Sequence, residues 1–367
     1  MDVSQATAGF AFLPVRLRIV PQQVLKLPAL NKSNTLRGAF GMAFRRLVCI
    51  PQCREVRLCP LAGTCPYRII FEPAPPPGAE RLSKNQDIPR PFIFRPPAST
   101  ATTYPPGQAF DFTLTLMGKA VDFLPYFILA FREVAREGVG LNRARCELDR
   151  VEALLPPPPD ALAPGPRDEA LVYTQQDDLF RSPPATTLEN WVAPRLLPAP
   201  LNRPPALLTI RFLTPTYLKS EGQPVRQPEF HHLFKRVRDR LNALCTFYGP
   251  GPIDADFKGL GQAAEKVRTV KCDVHWQERS RRSSKTGQRH ELSGFTGECV
   301  YEFSTNDSEI PNLELLKWIV CGEFLHAGRH TAWGNGRYHV SEENASSAVI
   351  TRRAATRPLP STRGGVS

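Results

Sequence analysis

The chain has 367 residues, 41% of them hydrophobic, with a formal net charge of +12 at pH 7 and a pI near 9.5. That length exceeds one ordinary core and fits two domains of moderate size, and the apolar share excludes a chain that is disordered throughout. The cationic excess points to a polyanionic partner, nucleic acid first, because Lys and Arg that neutralise phosphates release condensed counterions. No run of about 18 apolar residues is present, so no membrane span is expected. The start, MDVSQATAGF, lacks a basic segment followed by an apolar one and reads as no signal peptide. A cytoplasmic protein is expected, in which the nine cysteines are thiols or metal ligands.

Taken in chain order, Val15, Leu17 and Ile19 alternate with Arg16 and Arg18, the period of a half-buried strand. A helix follows over Thr35 to Val48, then a Pro-rich loop at Pro73 to Pro77. Phe110, Phe112, Leu114 and Leu116 form the next alternating strand. A helix opens near Pro125, breaks at Gly138 and Gly140, and leads into the strand ARCELDRV. The stretch 155–206 holds LPPPPDALAPGP, RSPP and LLPAPLNRPPA and reads as an extended linker, with no helix and no central strand.

The second half repeats the plan. Leu208, Ile210 and Phe212 alternate with Thr209 and Arg211. From Glu229 to Phe247 the apolar residues keep helical spacing, one stripe wide. Val270, Cys272, Val274 and Trp276 alternate with polar residues, and Phe295 to Phe303 is another strand. A helix opens near Pro311, breaks in HAGRHTAWGNG and leads into the strand RYHV. Both halves therefore read strand, helix, strand, strand, helix, strand, the third strand of the first half being the least distinct. That order predicts an α+β protein: two tandem ferredoxin-like domains, the plan of RNA-recognition domains. The first covers 1–154 with a Cys-rich loop inserted at 49–65, and the second covers 207–340. The tail from Ser341 onward lacks apolar periodicity and reads as disordered.

The segment GEFLHAGRHTAWGNGRYHV, Gly322 to Val340, resembles the C-terminal Gly-rich loop of the CRISPR repeat-processing endoribonucleases of the RAMP superfamily. The helix TLRGAFGMAFRRLVC, the following CPYRIIFEP, LTPTYLK, EFHHLFKRVRDRLNALCTFYG and LSGFTGECVYEF are similar to parts of one branch of that family. The resemblance spans most of Leu13 to Val340. It implies RNA held across the groove between two ferredoxin-like domains. It also implies cleavage of precursor RNA by attack of a ribose 2′-OH on the adjacent phosphate, giving a 5′-hydroxyl and a 2′,3′-cyclic phosphate. The nucleophile belongs to the substrate, so no catalytic metal is required. The partners implied are CRISPR repeat RNA or mature guide RNA, and subunits of a CRISPR effector complex.

Gly322, Gly328, Gly334 and Gly336 can bring backbone close to a phosphate, and Arg329, Arg337, His326 and His330 lie among them. Many members of the family carry a catalytic histidine near the first helix. All seven histidines of this chain lie at or beyond His231, so that role has no carrier here. His326, where the helix breaks into the loop, is the first catalytic candidate and His330 its acid–base partner. His231 and His232 follow, at the start of a helix whose polar face carries Lys235, Arg236 and Arg238. Lys32 or Arg37 of the first helix is an alternative stabiliser of the transition state. Arg37, Lys235 and Arg238 also count as RNA contacts. So does the basic hairpin from Trp276 to Gly294, through Arg279, Arg281, Arg282, Lys285 and Arg289.

Cys49, Cys53, Cys59 and Cys65 occur as C-x3-C-x5-C-x5-C, a set able to close on a structural Zn²⁺ that has no position left for substrate. No His, Asp or Glu cluster accompanies them, which argues against a zinc-dependent nuclease. The missing early histidine keeps a second function in view: a non-catalytic guide-RNA-binding subunit of the same superfamily.

Overall fold

The computed structural model describes residues 1–30, 32–53, 59–61, 63–73, 88–96, 99–158, 168–196, 206–282, 289–303 and 309–342. Two antiparallel sheets carry the fold. The first contains β1 (Phe12–Pro21), β2 (Phe92–Arg95), β3 (Phe110–Met117), β4 (Cys146–Leu154) and β5 (Glu169–Thr174), in the order β2-β3-β1-β4-β5. The second contains β6 (Leu207–Thr216), β7 (Arg268–Gln277), β8 (Gly294–Glu302) and β9 (Tyr338–Glu342), in the order β7-β8-β6-β9. Leaving β5 aside, each sheet runs second-third-first-fourth, which is the ferredoxin-like order, and the α+β class follows.

In β1 the side chains of Leu13, Val15, Leu17 and Ile19 are buried. Helices α2 (Lys32–Val48) and α3 (Leu124–Glu137) complete this core with them, α1 (Val3–Ala8) lying elsewhere. Phe40 of α2 is its centre, stacked on Phe127 at 4.6 Å and on Phe44 at 5.0 Å; burying one such ring is worth about 1.5–3 kcal/mol. Pro125 starts α3 and Gly138 ends it at φ 117°, where a Cβ would stand 2.4 Å from the Arg143 carbonyl. In the second unit Leu208, Ile210 and Phe212 of β6 are buried in one core with the apolar stripe of α5 (Phe230–Tyr248) and with α7 (Glu309–Leu325), which is buried on several faces.

The units share apolar surface. Phe12, Ile93 and Met117 from the first sheet pack into the second core together with Trp191. Phe12, Trp191 and Phe324 form a triangle of rings 5.9–6.0 Å apart. This contact sets the polar faces of the two sheets toward one cleft: Pro14, Thr115 and Arg95 on one side, Leu213, Arg337 and His339 on the other.

Three findings depart from the sequence reading. The least distinct strand of the first half is the second in chain order, not the third: β2, four residues between Pro91 and Pro96, is too short to show alternation. Residues 155–206 are not an extended linker throughout: 169–174 is the edge strand β5 and α4 (Leu188–Leu196) is a helix. Leu188, Trp191 and Val192 bury a face that outweighs the Pro194 within that helix. Helix α6 (Phe257–Lys266) was not expected, because Gly259 and Gly261 interrupt its stripe; the Asp256 side chain caps it by accepting from the Gly259 N–H at 2.8 Å. The tail from 343 and most of the PAPPP loop lie outside the described residues. Among the described residues no helix is long and apolar enough to cross a membrane.

Candidate active site

The loop 326–336 joins α7 to β9 through a series of left-handed residues: His326 (φ 61°), Gly328 (81°), His330 (62°), Gly334 (80°) and Gly336 (73°). Its glycines approach protein carbonyls closely. A Cβ would stand 2.4 Å from Tyr217 O at Gly328, 2.6 Å from Phe94 O at Gly334 and 1.8 Å from Ala327 O at Gly336. Gly322 lies inside α7, where a Cβ would meet the Tyr338 hydroxyl at 2.1 Å. The close approach expected at a phosphate is made here to the fold itself, and it locks the loop in one shape.

That shape docks the loop on the start of α2. Ser33 Oγ donates to the Trp333 carbonyl, and Thr214 Oγ1 donates to the Gly334 carbonyl at 2.9 Å. The Arg37 guanidinium sits between the Phe71 and Trp333 rings, 4.5 and 4.4 Å from their centroids, each contact worth about 0.5–2 kcal/mol. The His330 ring lies 5.0 Å from the Trp333 ring. Lys32, in the first turn of α2, is 3% exposed; its Nζ donates to the Ser99 carbonyl, and burial lowers its pKa. The positive end of the α2 dipole adds to this charge. Of the sequence candidates, His330, Arg37 and Lys32 therefore meet at one seam between the units.

His326 lies on the cleft side of the same loop and is 3% exposed. Its Nδ1 is 3.0 Å from the Asn335 carbonyl, which can only accept, so Nδ1 carries the proton. Burial, then Arg95, hold its pKa well below the ordinary value, with Arg337 and Arg240 adding to the effect. It lines a cavity of about 130 Å³ with Arg95, Thr115, Arg337 and His339. A neutral, buried, hydrogen-bonded imidazole pins the loop. In the unfolded chain it titrates near 6.5. Below that pH the unfolded chain takes up a proton that the fold refuses, so stability is full above pH about 6.5 and falls on acidification. Burial lowers His231 and His232 as well, with the same sign. Tm should therefore fall between pH 7.5 and 5.5. His326→Gln, which keeps a donor for Asn335, should flatten part of that slope; a Tm that rises on acidification contradicts this account.

The remaining candidates are dispersed. The His231 and His232 rings are 4.1 Å apart at the start of α5, and His232 Nδ1 accepts from the Glu229 N–H at 3.2 Å as a helix cap. They lie about 13 Å along α5 from Arg240, whose Nε donates to Leu325 O at the loop's base. Lys235 pairs with Glu265 and Arg238 with Asp239. Arg329 is exposed, 5.1 Å from the Tyr217 centroid, and burial lowers the pKa of Arg337. The basic hairpin is real: Ser280–Arg282 pairs with Arg289–Glu291, and Arg279 at its base donates to Gln277 Oε1 at 2.5 Å. Arg281, Arg282 and Arg289 are on its strands, while Lys285 lies outside the described residues. A larger hollow of about 520 Å³ beside α3 holds Arg132 and Arg136, each already paired, with Asp178 and Glu133.

Three of the four clustered cysteines, Cys53, Cys59 and Cys65, are buried. Burial pushes the Cys49 thiol up to about 11, and the neighbouring Cys53 and Cys65 add to the rise; the Cys53 thiol is in turn hydrogen-bonded to that of Cys59. The thiols are neighbours, yet among the described residues no three His, Cys, Asp or Glu stand at metal-holding geometry. Sequence reasoning missed Ser33, Arg95 and Trp333, which bridge the units; Trp333 inside a Gly-rich loop was the available signal.

Compared with known families, residues 210–338 match the model of the CRISPR-associated endoribonuclease Cas6, and residues 10–184 match a model described as an N-terminal domain. No curated protein matches the sequence. Among solved structures the chain is similar to a Cas6 product complex, at 18% identity and TM-score 0.51, with 90% of this chain and 99% of that one covered. It is similar to a partial Cas6-RT-Cas1–Cas2 complex, at 13% identity and TM-score 0.52, with 92% and 47% covered. It is also similar to Thermus thermophilus Cas6, at 16% identity and TM-score 0.46, with 91% and 100% covered. At these identities the two structures with TM-scores above 0.5 speak to the fold, and the family model speaks to the second ferredoxin-like unit with its loop. The second ferredoxin-like unit, with its Gly-rich loop, is therefore a domain of the CRISPR-associated endoribonuclease Cas6 type.

Proposed function

We propose that this chain binds CRISPR repeat RNA and cuts the precursor once within each repeat, without a catalytic metal. The ribose 2′-oxygen attacks the adjacent phosphorus, the O2′–P bond forms and the P–O5′ bond breaks. The 2′-OH proton goes to a base and the 5′-oxygen receives a proton, leaving a 2′,3′-cyclic phosphate and a 5′-hydroxyl. The observation that carries this reading is the docking of loop 326–336 on the start of α2, which brings His330, Lys32 and a helix N-terminus to one seam between the units. In it His330 exchanges protons, and Lys32 with the helix end holds the phosphoryl charge. Arg37 positions Trp333 and through it His330. The RNA follows the cleft past Arg95 and Arg337 toward the hairpin Ser280–Glu291, and the product guide RNA stays bound or passes to effector-complex subunits.

All histidines lie at or beyond His231, and this favours one rival, a guide-RNA-binding subunit that cuts nothing. Incubation with repeat RNA in excess EDTA separates the two. Cutting that persists in EDTA and stops with a 2′-deoxyribose at the cleavage position supports the nuclease; binding without cutting supports the rival.

We also propose that Cys49, Cys53, Cys59 and Cys65 take one structural Zn²⁺, drawn together to Zn–S distances of about 2.3 Å. Their support is four adjacent thiols in a loop of low apolar content. Metal analysis of the purified chain should find zinc near one equivalent, lost in Cys53→Ser; zinc-free protein of unchanged Tm ends the proposal.

A further inference from the structure

Four planar side chains line up beside the loop. The Arg226 guanidinium lies 4.0 Å from the centroid of the Trp276 ring. Trp276 lies 5.8 Å from Tyr217, the two rings tilted by 57°. Arg329 lies 5.1 Å from the far ring, Tyr217. The row, cation–aromatic–aromatic–cation, joins two elements already placed near the RNA. Arg329 belongs to the Gly-rich loop and donates its backbone N–H to the Tyr217 carbonyl at 3.2 Å. Trp276 is near the end of β7, where the chain enters the basic hairpin.

The charges of this row differ from those around them. Arg16, Arg18, Arg211 and Arg268 on the sheets each hold a carboxylate. Arg226 and Arg329 are exposed, and among the described residues neither has a carboxylate partner. A guanidinium laid on a ring keeps its N–H edge free while its plane stays desolvated on one side. Trp276 is half-buried on an edge strand, not sealed in the core. Free N–H edges suit phosphates, and guanidinium and indole planes suit the faces of unpaired bases.

We infer that Trp276, Arg226 and Arg329, braced from beneath by the buried Tyr217, form a stacking site for one or two unpaired nucleotides of the RNA. The inference rests on the repeat-RNA reading above and deepens it, because it assigns recognition of a single-stranded segment to this row. A base lies against Trp276 or on the outer plane of a guanidinium, and the flanking phosphates take the N–H edges.

The test uses the full chain and its repeat RNA, protected from cutting by a 2′-deoxyribose at the cleavage position and carrying 4-thiouridine at unpaired positions. Trp276→Ala should weaken binding about tenfold to a hundredfold, and Trp276→Phe should recover it to within about threefold. Arg226→Gln, exposed and safe for folding, should weaken binding and lower the salt slope by about one. Ultraviolet crosslinks should map to Trp276. Wild-type affinity in both Trp276→Ala and Arg226→Gln, with crosslinks elsewhere, overturns the stacking site while repeat cleavage by the wild type leaves the nuclease reading intact. A wild type that binds no repeat RNA overturns both.

Discussion

Single-turnover cleavage of repeat RNA should fall about 10²- to 10⁴-fold when His330 is replaced by Ala, the range of a lost proton-transfer group. Binding should change little. His330 stands half-buried in a left-handed conformation, its ring 5.0 Å from that of Trp333, so its removal takes away an imidazole without emptying a fully buried site. Lys32→Met should give a loss of similar size by a different route. The methionine fills the buried space of the first turn of α2 but removes the charge from it. The two variants should differ in pH profile, because only His330→Ala removes an imidazole from the site. His326→Gln is the comparison, since a neutral, pinned imidazole is replaced by a neutral donor. Full cutting by His330→Ala removes it from the chemistry, and Lys32 with the loop backbone would be left to explain the activity.

Gly336→Ala should lower stability by about 3–5 kcal/mol, a Tm shift on the order of 10 °C for a unit of this size. Two penalties coincide there. The residue sits at φ 73°, and its Cβ would stand 1.8 Å from the Ala327 carbonyl, which cannot move freely. Ala327 donates to Gly336 O at 2.9 Å, and Gly336 donates to Pro215 O at 3.0 Å, so relief of the clash breaks the loop's closure on β6. Cleavage should be lost with the fold of the loop. Gly38→Ala is the internal control: nothing lies within 4 Å of its Cβ, the position is helical, and about 0.5–1 kcal/mol should be gained. Equal stability of Gly336→Ala and wild type contradicts the packing described for the loop.

Much of this architecture was legible because burial writes itself as period. Alternation in β1, β3, β6 and β7, and the apolar stripes of α3 and α5, recorded one face against a core and one against solvent or the cleft. The segments that stayed hidden are those where another force overrides the period. β2 is a four-residue strand held between prolines by its pairing with β3. α4 tolerates Pro194 because Trp191 is anchored across the unit boundary.

In the sequence the loop's glycines read as room for a phosphate; in the fold Gly328, Gly334 and Gly336 each face a protein carbonyl. A glycine spent on a protein carbonyl looks the same in a sequence as one spent on a phosphate; only the contacts of Gly328, Gly334 and Gly336 tell them apart. His326 and His330 lie four residues apart, and in the sequence His326 ranks first because it sits where the helix breaks into the loop. Burial and the Asn335 carbonyl separate them, and neither is a local property. Arg226 and Trp276 lie 50 residues apart and meet only through the second sheet's edge, which no local pattern records.

The most direct test of the account is the position of the scissile phosphate in a structure of the chain bound to repeat RNA blocked by a single 2′-deoxyribose. That phosphate should lie at the seam of loop 326–336 and α2, with His330 or Lys32 within hydrogen-bonding reach, about 3 Å. A scissile phosphate seated at His231 and His232, or anywhere remote from the start of α2, would contradict it.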